Sequence, residues 1–122
     1  FRKSFDKMVG LVGRLHQAGV RIVAGTDGYG LELVRELELY QQAGLTNAES
    51  LQTATIVPAR MTGMDGRVGS IAPGKTADII LVDGDVSKDL TNLRHVRTVF
   101  LDGYRLDGAA LRQASGLSGM PK

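Results

Sequence analysis

Apolar side chains recur at intervals of three and four over residues 4–18, where Phe5, Met8, Val9, Val12, Leu15 and His16 share one face. This spacing predicts an amphipathic helix, with Ser4 as its N-cap and Gly19 as the left-handed residue after its last turn. Val20–Ala24 is apolar apart from Arg21, the pattern of a short strand covered on both faces, as in a parallel sheet. It runs into Gly25-Thr26-Asp27 and a loop in which Gly28 and Gly30 bracket Tyr29. A second helix is predicted over 31–43, with Leu33, Val34, Leu37 and Tyr40 on one side and Glu32, Arg35, Glu36 and Glu38 on the others. Gly44 stops it. Thr46-Asn47-Ala48-Glu49 has the form of a capping box, so a third helix is expected from 47 to about 55. Pro58 disfavours a helical Val57 and predicts a new short helix over 58–63.

From Gly66 the pattern changes to β. Arg67–Ile71 is a candidate short strand, Pro73-Gly74 a turn, and Ala77–Val82 a strand closed by Asp83-Gly84. Val96–Leu101, Asp102-Gly103 and Tyr104–Leu106 predict a hairpin with a two-residue type I′ turn. Residues 109–113 predict a helical turn, and 114–122 a loose tail. The order is helix, strand, two or three helices, then three or four strands. That order reads as the end of an alternating α/β fold followed by antiparallel β, divided at 1–64, 65–108 and 109–122.

Length limits the fold further. A chain of 122 residues makes about one domain, and a complete (β/α)₈ barrel needs about 250 residues. The chain begins at Phe1 rather than Met, which suggests a processed or truncated piece. Fifteen Lys and Arg against thirteen Asp and Glu leave a net charge of +2, with signs alternating along the chain. Short basic runs such as Arg94, His95 and Arg97 read as a solvated face, not as the clustered stripe of a nucleic-acid binder. With no cysteine, disulfides and thiolate metal sites are excluded, which fits a cytoplasmic protein. No apolar run approaches the roughly 20 residues of a membrane span, and no signal peptide is visible.

Asp27 is the leading chemical candidate. It follows an apolar strand and opens a Gly-rich loop, and functional groups of parallel α/β folds sit at the carboxyl ends of strands. A carboxylate there can bind a cation or move a proton; a capping or turn role is the alternative. His16 and His95 are the only histidines and read as packed or surface residues, so a His-rich metal centre cannot be built from this chain. Gly25-Thr26-Asp27-Gly28-Tyr29-Gly30 does not have the G-x-G-x-x-G spacing of a dinucleotide site. Gly69–Thr76 does fit G-x-x-x-x-G-K-[ST]. However, Pro73 removes an amide that a phosphate cradle would use, and a strand follows where a helix is required.

Taken in order, these segments resemble the amidohydrolase superfamily. Ala18–Asp27 resembles its eighth barrel strand, and Ala43-Gly44-Leu45-Thr46 with Glu49-Ser50-Leu51 and Ala54-Thr55 resembles the helices that follow. Pro58-Ala59-Arg60 fits the next helix. Gly69-Ser70-Ile71, Pro73-Gly74-Lys75, Ala77-Asp78 and Leu81-Val82-Asp83 resemble the return into a small β-sandwich. Val96-Arg97, Val99 and Asp102-Gly103 match its closing hairpin. The imidazolonepropionase-like and prolidase-like members are the nearest in pattern, over about residues 5–108.

The resemblance implies the C-terminal portion of a metal-dependent (β/α)₈ barrel hydrolase plus part of its β-sandwich. It implies a divalent metal, often zinc, and small-molecule amide, cyclic amide, urea or dipeptide substrates. Asp27 would then be both metal ligand and proton shuttle. The family's His-x-His after strand one, its carboxylated Lys and its two later His ligands have no counterpart here, so the chain alone is expected to be inactive and to self-associate through the open edges of Val20–Ala24 or by swapping elements. A non-catalytic interaction domain on the same scaffold is the competing expectation.

Overall fold

The computed structural model describes residues 2–28 and 32–116. Tyr29, Gly30 and most of the expected tail, 117–122, lie outside the described residues. The described chain forms an α/β arrangement of helices followed by an antiparallel sheet.

Helix α1 (Arg2–Gln17) begins earlier than the pattern suggested. Arg2 and Lys3 are good helix formers that carry the turn past Ser4, which therefore lies inside the helix and not at its cap. Gly19 takes the left-handed conformation expected of it, at φ +80°. Helix α2 (Glu32–Gln42) buries Leu37 and Tyr40. Helix α3 (Asn47–Thr53) carries the expected capping box: Thr46 Oγ1 accepts from the Glu49 amide at 3.2 Å, and Glu49 Oε2 accepts from the Thr46 amide at 2.8 Å. Helix α4 (Ile56–Met61) starts two residues before Pro58. The proline thus sits in the first turn, where an amide would have no intrahelical acceptor, and Val57 is helical in spite of it.

Two expected strands do not form. Val20–Ala24 is extended but belongs to no sheet among the described residues, because no neighbouring strand lies beside it. Residues 67–70 are turns and bends, and Ile71 is irregular. The Arg67 and Val68 amides both bond back to Met64 O, at 2.9 and 3.0 Å, which curls the backbone away from an extended path.

The Pro73-Gly74 turn forms as expected: Gly74 lies at φ +83°, and the Lys75 amide donates to Ala72 O at 3.2 Å. The sheet has the order β1 (Ile79–Val82), β2 (Val96–Leu101), β3 (Tyr104–Asp107), antiparallel throughout. Ile79 faces Phe100 and Leu101 faces Tyr104. Asp102 and Gly103 close the hairpin at φ +49° and +82°, the two left-handed residues of the expected type I′ turn. A short 3₁₀ turn (Leu90–Arg94) connects β1 to β2, and α5 (Gly108–Ala114) follows β3, capped by Asp107.

The core lies where α2 meets the 3₁₀ turn. Leu37, Tyr40, Leu45 and Leu90 are buried together, with Val12, Ile22 and Leu51 packed around them. Gly13 lets α1 reach this core, since a Cβ there would stand 2.2 Å from Ala43 O. Beside the core, Glu38 pairs with Arg94 of the 3₁₀ turn and, at 3.0 Å, with Arg35. The Arg94 guanidinium holds the Glu38 carboxyl below its usual value against the opposing effect of burial, with Arg35 assisting.

Leu90 is 1% exposed and joins the helical half to the sheet half. Leu90→Ala should cost about 2–5 kcal/mol, read as a lower urea midpoint. The Glu38 pair has a defined pH signature. Its folded pKa lies below the unfolded one, so its contribution is complete above the ordinary Glu value of 4.5 and is lost as pH falls through the folded value. Glu38→Gln should therefore lower stability at pH 7 by about 1–2 kcal/mol, and the gap to the wild type should close as pH is taken down toward 3. A gap independent of pH would refute the assignment.

Candidate functional site

Asp27 stands at the end of the extended segment that leaves α1. Exposure along this segment alternates. Ile22, Ala24 and Thr26 are half-buried, whereas Arg21, Val23, Gly25 and Asp27 are exposed. The period of two is that of a strand, but only one of its faces is covered, not both. Val23, an apolar residue, is 36% exposed on the same open face as Asp27.

Without a ladder, the segment is held by bonds from the helices. The Val20 amide donates to Leu15 O at 3.0 Å, and the Ala24 amide to Thr53 O at 2.9 Å. The Gly25 amide donates to Glu36 Oε2 at 3.0 Å. The other carboxylate oxygen of Glu36 accepts from the Tyr40 hydroxyl at 2.5 Å. That hydroxyl has one proton, so Val23 O, at 3.3 Å, is its longer second acceptor. Burial and the Glu36 carboxylate push the Tyr40 phenol pKa up. Beyond these anchors the chain turns: Asp27 is left-handed at φ +56°, a conformation that Asp tolerates better than most residues, and the Gly28 amide reaches Thr26 Oγ1 at 3.4 Å.

Among the described residues no three His, Asp or Glu side chains are grouped so as to hold a metal ion. Asp27 therefore offers a single carboxylate donor, with no such group around it among the described residues. His16 lies on α1 with Nε2 3.5 Å from Glu49 Oε1. Glu49 is held below its usual pKa mainly by the Thr46 amide and hydroxyl. His95 ends the 3₁₀ turn. Both histidines are half-buried.

The Walker-like stretch is a loop that leads into β1. Lys75 Nζ donates to Ser70 Oγ at 2.6 Å and to Asp65 O, so its cation is engaged within the loop. A cleft of about 540 Å³ beside it is lined by Thr55, Gly69, Ile71, Thr76 and Ile79, among others. No described helix is long and apolar enough to cross a membrane.

Glu36 and Tyr40 are the site residues that sequence reasoning did not single out. It assigned Tyr40 to the apolar side of α2 and Glu36 to the polar side, and their spacing of four was the available signal.

Residues 6–106 match the amidohydrolase family. The N-acetylgalactosamine-6-phosphate deacetylase of Escherichia coli O157:H7 is 34% identical over 65 residues, 53% of this chain and 15% of that protein. The imidazolonepropionase of Picrophilus torridus is 40% identical over 70 residues, 55% of this chain and 17% of that protein. The crystal structure of a Xaa-Pro dipeptidase with bound methionine in the active site superposes with a TM-score of 0.76 at 29% identity, covering 82% of this chain and 25% of the dipeptidase. The chain thus spans a quarter or less of the length of each of these three proteins.

Proposed function

The chain belongs to the amidohydrolase family, and we propose that it is the C-terminal part of a metal-dependent hydrolase of non-peptide or dipeptide C–N bonds, with Asp27 as one metal ligand and as the proton shuttle. In this reading residues 1–64 end a (β/α)₈ barrel, 65–108 form part of a β-sandwich and 109–122 are a tail. The extended 20–26 segment is the last barrel strand. The observation that carries the reading is the alternation along that segment, which leaves Val23, at 36%, and Asp27 exposed while Ile22, Ala24 and Thr26 are half-buried.

An N-acetyl group, an imidazolone and a Xaa-Pro dipeptide all present a C–N bond beside a carbonyl, and proteins named for these substrates are similar to this chain. This supports a small-molecule amide, cyclic amide, urea or dipeptide as substrate. Asp27 takes the proton of the attacking water and returns it to the leaving nitrogen, so that an amine and not an amide anion departs. A divalent metal such as zinc would supply a lowered water pKa. Such a centre needs about three protein ligands, and all but Asp27 would come from outside these 122 residues.

The exposed apolar side chains favour an additional property. Met8 is 68% exposed on α1, and Ile80 and Leu81 of the edge strand β1 are 48% and 50% exposed. Open edges and apolar faces template pairing with another chain, so the isolated chain should self-associate.

Asp27→Asn in the full-length protein should lower kcat by about 10²–10⁴-fold with the fold intact by circular dichroism, and a kcat near that of the wild type would remove the role. The isolated chain should not hydrolyse Xaa-Pro dipeptides or N-acyl amides and should bind zinc weakly. Zinc affinity at micromolar or tighter together with turnover would overturn the partial-site reading. Sedimentation of the same sample should show species larger than a monomer; a cooperatively folded monomer would count against uncovered edges.

A further inference from the structure

We infer that Glu36 is the positioning residue for Asp27: its carboxylate clamps the Gly25 amide and so fixes the turn that presents Asp27. The inference rests on the reading of Asp27 as the reacting carboxylate.

Both Glu36 oxygens are engaged, Oε2 by the Gly25 amide at 3.0 Å and Oε1 by the Tyr40 hydroxyl at 2.5 Å. Tyr40 is 8% exposed and packs in the core with Leu37, Leu45 and Leu90. The hydroxyl of a core residue therefore sets the carboxylate, and the carboxylate sets a backbone amide two residues before Asp27. Among the described residues Glu36 Oε2 is the acceptor that the Gly25 amide has, and no backbone carbonyl takes its place. Asp27 lies at φ +56° immediately beyond, where a small backbone rotation swings the carboxylate through a large arc. Misplacing a reacting group by about 1 Å can cost on the order of 100-fold in rate. A glutamate kept only for solvation or helix propensity would not direct both oxygens inward.

The residue type makes a sharp prediction. Glu36→Leu puts a shorter apolar side chain there and loses both bonds. Glu36→Gln keeps an acceptor for Gly25 in its amide oxygen and offers its NH₂ to the Tyr40 oxygen, whose proton can then go to Val23 O. In the full-length protein, assayed on a panel of Xaa-Pro dipeptides and N-acyl amides, Glu36→Leu should lower kcat by about 10–100-fold with KM within about twofold. Amide exchange at Gly25 should quicken by about tenfold. Glu36→Gln should recover most of both. If Glu36→Leu does not fold, Tyr40→Phe retains the ring in the core, frees one carboxylate oxygen and should show a smaller loss of the same kind. Unchanged Gly25 exchange in the Leu variant, or a Gln variant no better than Leu, overturns the clamp. The parent reading fails separately: if Asp27→Asn retains normal kcat, Asp27 is not the reacting group, and the Gly25 exchange rates alone decide whether Glu36 holds the turn.

Discussion

An extended stretch of chain with no strand beside it must find other partners for its amides and carbonyls, because an unpaired backbone group shielded from water costs as much as a lost hydrogen bond. In residues 20–26 the Val20, Ala24 and Gly25 amides find such partners on helices. The end of α1 takes the Val20 amide, the C-terminal end of α3 takes the Ala24 amide, and Glu36 with Tyr40 of α2 takes the Gly25 amide and approaches Val23 O. The geometry at Asp27 is therefore inherited from helix packing, and α2 contributes most because the same helix supplies the buried core residues Leu37 and Tyr40.

The same dependence links the two halves. Leu90 and Arg94 of the 3₁₀ turn press on α2, one by apolar burial and the other through Glu38. The contacts that hold the sheet against the helices thus fall on the helix that braces the extended segment.

Features whose signal lies within a few residues were legible in the sequence. The Thr46–Glu49 capping box, the Pro73-Gly74 turn and the Asp102-Gly103 hairpin all form as read, because each is specified by local backbone chemistry. The failures are non-local. Val20–Ala24 has strand composition and strand periodicity, but a strand is defined by its neighbour, and composition does not say whether one is present. Residues 67–71 have the same β-like letters, yet Met64 O captures two of their amides. At Pro58 the general rule about the preceding residue does not hold, since Val57 is helical. Asp27 was visible from its position after an apolar run. Glu36 was not, because its partner, the Gly25 amide, lies eleven residues away and the link exists only once α2 has folded back across the segment.

The open face also bears on how an aspartate here can work. In water, a carboxylate accepts a proton with little directional preference, and its field is screened within several ångströms. The chain leaves both Asp27 and Val23 exposed, one charged and one apolar. Covering that face would bring the charge into a poorly screened, partly apolar setting while the backbone behind it stayed fixed by Glu36 and Thr53. Rigidity and dryness would then come from different parts of the protein: the first from the α2 core described here, the second from whatever covers Val23. A carboxylate meant only to cap a turn needs neither. The Gly25–Glu36 bond ties the start of this turn to α2, so the backbone on one side of Asp27 is anchored to a helix that carries buried core residues.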